Sequence, residues 1–157
     1  MATPLPRISV SVKAAIVHQD RILLMSYDDH SGFHYNLPGG KAIVGEPLRD
    51  AVARKVKDET GLRVRATRLL FVVEYVPEQY NDEFGTVHKT QHNFLAELLG
   101  DTATPRKSDP PDPIQVGFEW VPLPELPDKY LLPRVNQQLL DALAATPADR
   151  DVLVDRW

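Results

Sequence analysis

The chain has 157 residues, 43% of them apolar and 25% charged, enough for one compact core and too few for two independent ones. A formal charge of -4 supplies no diffuse basic field, so nucleic acid held mainly through phosphate contacts is not the expected partner. With no cysteine, a disulfide framework, a thiolate metal site and thiol catalysis are all excluded.

The first segment, MATPLPRISVSVK, lacks a basic stretch followed by an apolar one, and no apolar run approaches the roughly 20 residues that span a bilayer. The expectation is a soluble, unprocessed, cytoplasmic protein with no membrane partner. Residues 8–17 alternate apolar with small or polar residues and then become continuously apolar, which predicts a strand entering a core. His18, Gln19 and Asp20 turn the chain, and residues 21–25 pair back as the second arm of a hairpin. The polar stretch 26–33, with Gly32, reads as a loop. Pro38 bars a central strand and Gly39-Gly40 permit a sharp bend, so a tight loop is expected before a helix.

Pro47 suits the first helical position, and Glu46 lies beside the positive end of the helix dipole. Leu48, Ala51, Val52 and Val56 then recur as one apolar stripe, and Gly61 is placed to stop the helix. Residues 69–76 and 90–99 read as long strands joined by a polar loop over 78–86. Four prolines mark 101–113 as an exposed loop, and 116–121 as a last short strand precedes a turn punctuated by Pro122, Pro124 and Pro127. Val135, Leu139, Leu140, Leu143 and Ala144 form a second helical stripe within 134–145. One domain over 1–146 is expected, followed by a tail over 147–157 in which the sequence leaves open whether Val152, Leu153 and Trp157 pack. Strands flanked by two helices predict an α/β fold, a mixed sheet sandwiched between helices.

Gly40, Glu46, Arg54, Val56, Glu59, Gly61 and Leu62 stand at the intervals G-x5-E-x7-R-x-U-x-x-E-x-G-U, where U is aliphatic. That spacing closely resembles the Nudix box, the loop-helix-loop signature of a family of pyrophosphohydrolases. Seven of its nine fixed positions match; Asp58 replaces a glutamate conservatively, and Lys55 reverses the charge of another. An exposed helix face with opposite charges three and four residues apart needs no active site to explain it. Such a face, however, makes no demand on the glycine bend, on Glu46 or on Gly61, and these favour the motif.

The resemblance implies a Nudix α/β/α sandwich and attack of water on a phosphorus of a nucleoside diphosphate linked to another group. It also implies a divalent ion, magnesium or alternatively manganese, because adjacent phosphates repel a nucleophile until cations neutralise them. By motif position, Gly40 (through its carbonyl), Asp58 and Glu59 would bind metal, and Glu59, Asp58, Arg54 and Lys55 would form the catalytic group. Glu46 and Arg54 would support them, the planar guanidinium fixing orientation as lysine would not. Family members are often homodimers, but no interface is legible here.

Lys55, Asp58 and Glu59 together offer a net charge of -1 where three glutamates would offer -3. Asp58 also reaches about 1.5 Å less far than glutamate, one carbon-carbon bond. Weaker metal binding and reduced activity are expected, with Lys55 contacting a phosphate in place of one metal or swinging into solvent. Lys55 as general base is rejected, since neighbouring carboxylates favour its charged form. The rival reading is a domain that binds a nucleotide-like ligand in a regulatory role without turnover.

Asp82, Glu83, Asp112 and Glu119 are the acids outside the box that would complete the site, and the sequence does not choose among them. Pro77, fifteen residues after Leu62, resembles a marker of the ADP-ribose-hydrolysing branch, and Tyr80 one for diadenosine polyphosphates; a strand-ending proline and an exposed tyrosine account for both as well. Tyr27, Phe33, His34 and Tyr35 are candidates to stack on a base or simply to pack. His88 and His92 share a strand face but lack the helix and glutamate of a zinc protease motif.

Overall fold

The computed structural model describes residues 6–144 and 151–157. Strand β1 (Ser9–His18) sends Val12, Ala14 and Ile16 to one face of the sheet and Ala15 to the other, as a period of two requires. Gln19 and Asp20, both at positive φ, make the tight turn into β2 (Arg21–Asp29). The expected loop over 26–33 is not formed. β2 runs on to Asp29, and β3 (Gly32–Asn36) folds back on it from Asp29↔Gly32 to Met25↔Asn36. Polar side chains hid this strand from the sequence reading, because Ser26, Tyr27 and His34 are buried within a ladder that pairs β2 on both sides.

The tight loop expected at Gly39-Gly40 is a short strand instead: β4 (Gly39–Lys41) pairs with β1 at Ser11↔Lys41, Val12↔Gly40 and Lys13↔Gly39. Pro38 just before it does not interfere, because it contributes only its carbonyl, which accepts the Ala14 N–H at 2.8 Å. Helix α1 (Leu48–Thr60) follows, with Pro47 one position earlier than expected: its ψ of 144° is extended, so it caps the helix rather than beginning it. Gly61 ends α1 in the left-handed conformation at φ 72°, its N–H bonded to the Lys57 carbonyl.

β5 (Val64–Tyr75) starts well before residue 69 and pairs antiparallel with β6 (Lys89–Leu98), which in turn runs parallel to β1. Between them Pro77–Tyr80 forms a single 3-10 turn. β7 (Gln115–Pro122) pairs with β2, helix α2 spans Asn136–Ala144, and β8 (Leu153–Val154) lies parallel to β5. The sheet order is β3-β2-β1-β6-β5-β8, with β4 on β1 and β7 on β2.

Two cores follow from the two faces. Ala51, Val52 and Val56 of α1 pack with Val12, Ile16 and Phe94, while Leu139 and Ala142 of α2 pack with Ala15, Leu24 and Phe71. Each large side chain so buried contributes about 1.5 to 3 kcal/mol, enough to clamp both helices to the sheet. The result is the α/β/α sandwich expected from the sequence. Of the tail, Leu153 and Val154 extend the sheet and the Trp157 ring stacks 4.2 Å from that of Tyr80, while the Val152 and Leu153 side chains stay exposed. No helix among the described residues is long and apolar enough to cross a membrane.

Candidate active site

β2 leaves β1 almost at once. The two pair only at Val17↔Ile22 and His18↔Arg21, after which β2 turns to β3 and β7 while β4 takes its place beside β1. The strands splay, and the opening becomes a cleft of about 840 Å³ whose walls include Lys13, Tyr27, Glu59, Asp82, Asp112 and Tyr130. A volume of that size suits a small organic ligand rather than an ion alone.

Glu59 reaches this cleft from the last turn of α1. Its Oε1 accepts the Gly39 N–H at 2.8 Å, so the glycine bend and the helix are joined at the site itself. Burial, the largest influence, raises the Glu59 pKa above the usual carboxylate range; Lys13, the Gly39 N–H and Lys55 pull it back down. Gly39 has φ 151°, and a Cβ there would lie 2.8 Å from Lys13 Cα and against the Val12 carbonyl. Only glycine lets this backbone lie flat on β1.

Arg54 holds Glu46 through both forks, Nε to Oε2 at 2.7 Å and Nη2 to Oε1 at 2.9 Å, and Nη2 also reaches the Lys41 carbonyl at 3.2 Å. Its Nη1 lies 3.8 Å from Asp58 Oδ2, one turn along the helix. The guanidinium therefore ties the loop before α1 to the loop side of the helix. The Glu46 hydrogen bond is the leading reason that the Arg54 pKa is raised and the Glu46 pKa lowered. Asp58 itself is largely exposed.

Lys55 does not pair with Asp58 or Glu59 within ion-pair distance among the described residues. Its stem folds over Gly40, where an added Cβ would come 2.5 Å from Lys55 Cε. The ammonium thus stays over the glycine bend, near enough to Glu59 to influence its titration, and is only half exposed.

Of the acids outside the box, Asp82, Glu83 and Asp112 line the cleft. Glu83 is engaged, accepting from the Tyr130 hydroxyl at 2.9 Å and pairing with Arg134 at 3.1 Å. Asp112 accepts the Ile114 N–H at 3.1 Å, and with Glu59 it pushes up the Tyr27 hydroxyl that burial has already raised. The Asp82 side chain has no hydrogen bond or ion pair among the described residues. Glu119 lies outside the lining, bound to the Tyr35 hydroxyl at 2.6 Å and Lys129 at 3.0 Å, which hold it below the usual carboxylate range. Tyr80 is stacked with Trp157 and Tyr75 rather than standing exposed. Tyr27 and His34 stack on each other at 5.7 Å in the cleft wall, and Phe33 meets Tyr35 edge to face at 5.2 Å. His92 Nδ1 faces the Ser11 carbonyl at 3.3 Å, and neither it nor His88 lines the cleft.

The residue that sequence reasoning missed is Lys13. It is half-buried, lies opposite Gly39 in the β1–β4 pair, and donates to the Leu37 carbonyl at 3.1 Å. Burial lowers its pKa to about 8, against an ordinary 10.5, although Glu59 pulls it upward. In an alternating strand a lysine reads as a solvent-facing position, so no sequence signal marked it.

The family model described as a NUDIX domain matches residues 7–143. The chain belongs to the Nudix family. Among curated proteins it is 29% identical over 136 residues to the NAD-capped RNA hydrolase NudC of Vibrio atlanticus, covering 87% of this chain and 45% of the relative. It is 30% identical over 123 residues to NudC of Pectobacterium carotovorum, covering 78% of this chain and 43% of that one. The chain therefore spans less than half the length of these curated relatives. Among solved structures, an ADP-ribose pyrophosphatase from Streptococcus suis superposes with a TM-score of 0.64 at 27% identity, over 94% of this chain and 98% of that one. A Nudix hydrolase from Nitrosomonas europaea reaches 0.73 at 18% identity over 98% of this chain and 82% of its own, a likeness of fold.

Nudix enzymes generally use a divalent metal, and the donor set here bears on how one would be held. No three His, Cys, Asp or Glu side chains come together as a ready ligand group among the described residues. Lys13 and Lys55 both act on Glu59 as positive neighbours. That does not fit a preformed cluster of several ions. It leaves room for a divalent ion bound by one or two carboxylates and shared with substrate phosphates. Asp58, Glu59 and the Gly40 carbonyl are hard oxygen donors of the right kind.

Proposed function

We propose that this chain is a Nudix pyrophosphohydrolase that splits the diphosphate linkage of a nucleoside diphosphate joined to another group. The observation that carries the reading is Glu59: the motif glutamate, anchored by the N–H of Gly39 next to the motif glycine, opens into a cleft large enough for such a substrate. The names of its relatives fit, since NAD and ADP-ribose both contain an ADP diphosphate.

In this reading Glu59 and Asp58, with the Gly40 carbonyl, hold magnesium or manganese together with the substrate. When bound, that ion neutralises phosphate charge and polarises the phosphoryl oxygens. Gly39 fixes one oxygen of Glu59, leaving Oε2 without a partner among the described residues. The Arg54–Glu46 fork holds the loop and helix at one spacing, so the donors need not reorganise on binding. Asp82 and Asp112, on the cleft wall, are the groups available to take the proton of an attacking water. Tyr27 and His34 give the wall an aromatic surface for a base.

Lys55 folded over Gly40 favours a second reading, a Nudix domain that binds such a ligand without turning it over. One assay separates the two. The protein is incubated with ADP-ribose, NAD, nucleoside diphosphate sugars and dinucleoside polyphosphates, each with magnesium or manganese, and products are followed by phosphorus NMR. Repeated turnover of any compound supports the hydrolase; binding by calorimetry without product, at high protein concentration, supports the regulatory domain instead.

A further inference from the structure

Lys13 is the one lysine or arginine among the described residues that line the cleft, against five acids there, Asp29, Glu59, Asp82, Glu83 and Asp112. A diphosphate entering such a cleft meets more carboxylates than cations, and Lys13 is the positive charge within the lining. An ammonium has three N–H donors, yet Lys13 uses a single one on a protein acceptor, the Leu37 carbonyl at 3.1 Å. Among the described residues it forms no ion pair; Glu59 influences it only from beyond pairing distance. A half-buried cation with donors unspent is costly to maintain, unless an anion arrives to satisfy it.

The position is also rigid. Lys13 sits in the β1–β4 ladder opposite Gly39, and an added Cβ on Gly39 would come 2.9 Å from Lys13 Cδ, so the glycine backbone lies directly on the lysine stem. Gly39 in turn donates to Glu59. One residue therefore spaces the cation and the acid that face the cleft.

Resting on the hydrolase or ligand-binding reading of this cleft, we infer that Lys13 is a phosphate-binding residue, whose ammonium hydrogen-bonds the non-bridging oxygens of the bound diphosphate. It would supply from the strand the positive charge that the thinned carboxylate set cannot recruit as additional metal. Lys55, over Gly40, is the competing cation, but it is absent from the cleft lining and its stem is committed to covering the bend.

The test uses the full chain and inorganic pyrophosphate as probe, titrated by calorimetry in chelator and again in magnesium. Lys13→Met should weaken pyrophosphate binding by about tenfold or more, as loss of a charge-assisted hydrogen bond does, and Lys13→Arg should restore most of it. Circular dichroism establishes that each variant is folded. In turnover assays the Lys13→Met effect should fall mainly on KM. Equal pyrophosphate affinity in wild type and folded Lys13→Met, or no binding by wild type in either buffer, overturns the inference. Lys13-dependent binding without turnover of any compound would sink the hydrolase reading and leave this one standing; turnover with an unchanged KM in Lys13→Met does the reverse.

Discussion

Lys13→Met should make the protein more stable at neutral pH. Lys13 loses its proton near pH 8 in the folded chain and near 10.5 when unfolded. Between those values the unfolded chain binds more protons, so stability rises with pH across that window and the penalty is fully present below about pH 8. A separation of that size corresponds to about 3 kcal/mol at pH 7 and about 1 kcal/mol at pH 10. Partial solvent access at the half-buried ammonium reduces the figure, and losing the hydrogen bond to the Leu37 carbonyl returns about 1 kcal/mol. The net gain should be about 1 to 2 kcal/mol at pH 7, or roughly 2 to 8 °C in Tm for a domain of this size. Thermal unfolding followed by circular dichroism at pH 7 and pH 10 reads it directly. The advantage should shrink to near zero at pH 10. A variant that melts below wild type at pH 7, or one whose gain is the same at both pH values, would refute the argument that a half-buried, underused charge is being carried for function.

Lys55→Glu should lower the magnesium concentration for half-maximal activity by about tenfold or more, because the Lys55, Asp58 and Glu59 set changes from a net -1 to -3 beside the ion; a metal titration showing no shift would mean that Lys55 lies out of reach of the metal. Gly39→Ala should cost more than about 2 kcal/mol in denaturant unfolding, since its Cβ meets fixed backbone at Val12 and Lys13 and φ 151° suits glycine alone. Near wild-type stability there would show that β4 is not pressed against β1. Arg54→Lys should reduce kcat several-fold, because a lysine cannot span both Glu46 oxygens; an unchanged kcat would remove Arg54 from the positioning role.

What was legible in the sequence followed from local rules. The α1 stripe and the Gly61 stop each depend on residues close in sequence, and both stand in the structure; the tight loop expected at Gly39-Gly40 does not, because those glycines pair with β1, a partner far away in sequence. So do the two helices on opposite faces, because each carries one apolar stripe. The strand over 26–29 and β3 were hidden, since the polar residues of β2 are held between ladders to β3 and β7, and β3 is held by its ladder to β2, rather than by alternation. The cleft was hidden for a related reason. It exists because β2 parts from β1 at Val17 and β4 substitutes for it, a matter of long-range register that gives Lys13, Asp82 and Asp112 a common wall. Four candidate acids could be named from the sequence, but only the fold separates Glu119, tied to Tyr35 and Lys129, from those facing the cleft.

Glu59→Gln keeps the size of the side chain and an oxygen for the Gly39 N–H, while removing the carboxylate charge. With whichever compound proves to be turned over, kcat of Glu59→Gln in saturating magnesium should fall by about a hundredfold or more, equivalent to about 2.7 kcal/mol of transition-state stabilisation. A Glu59→Gln enzyme with wild-type kcat would show that the chemistry takes place away from this cleft.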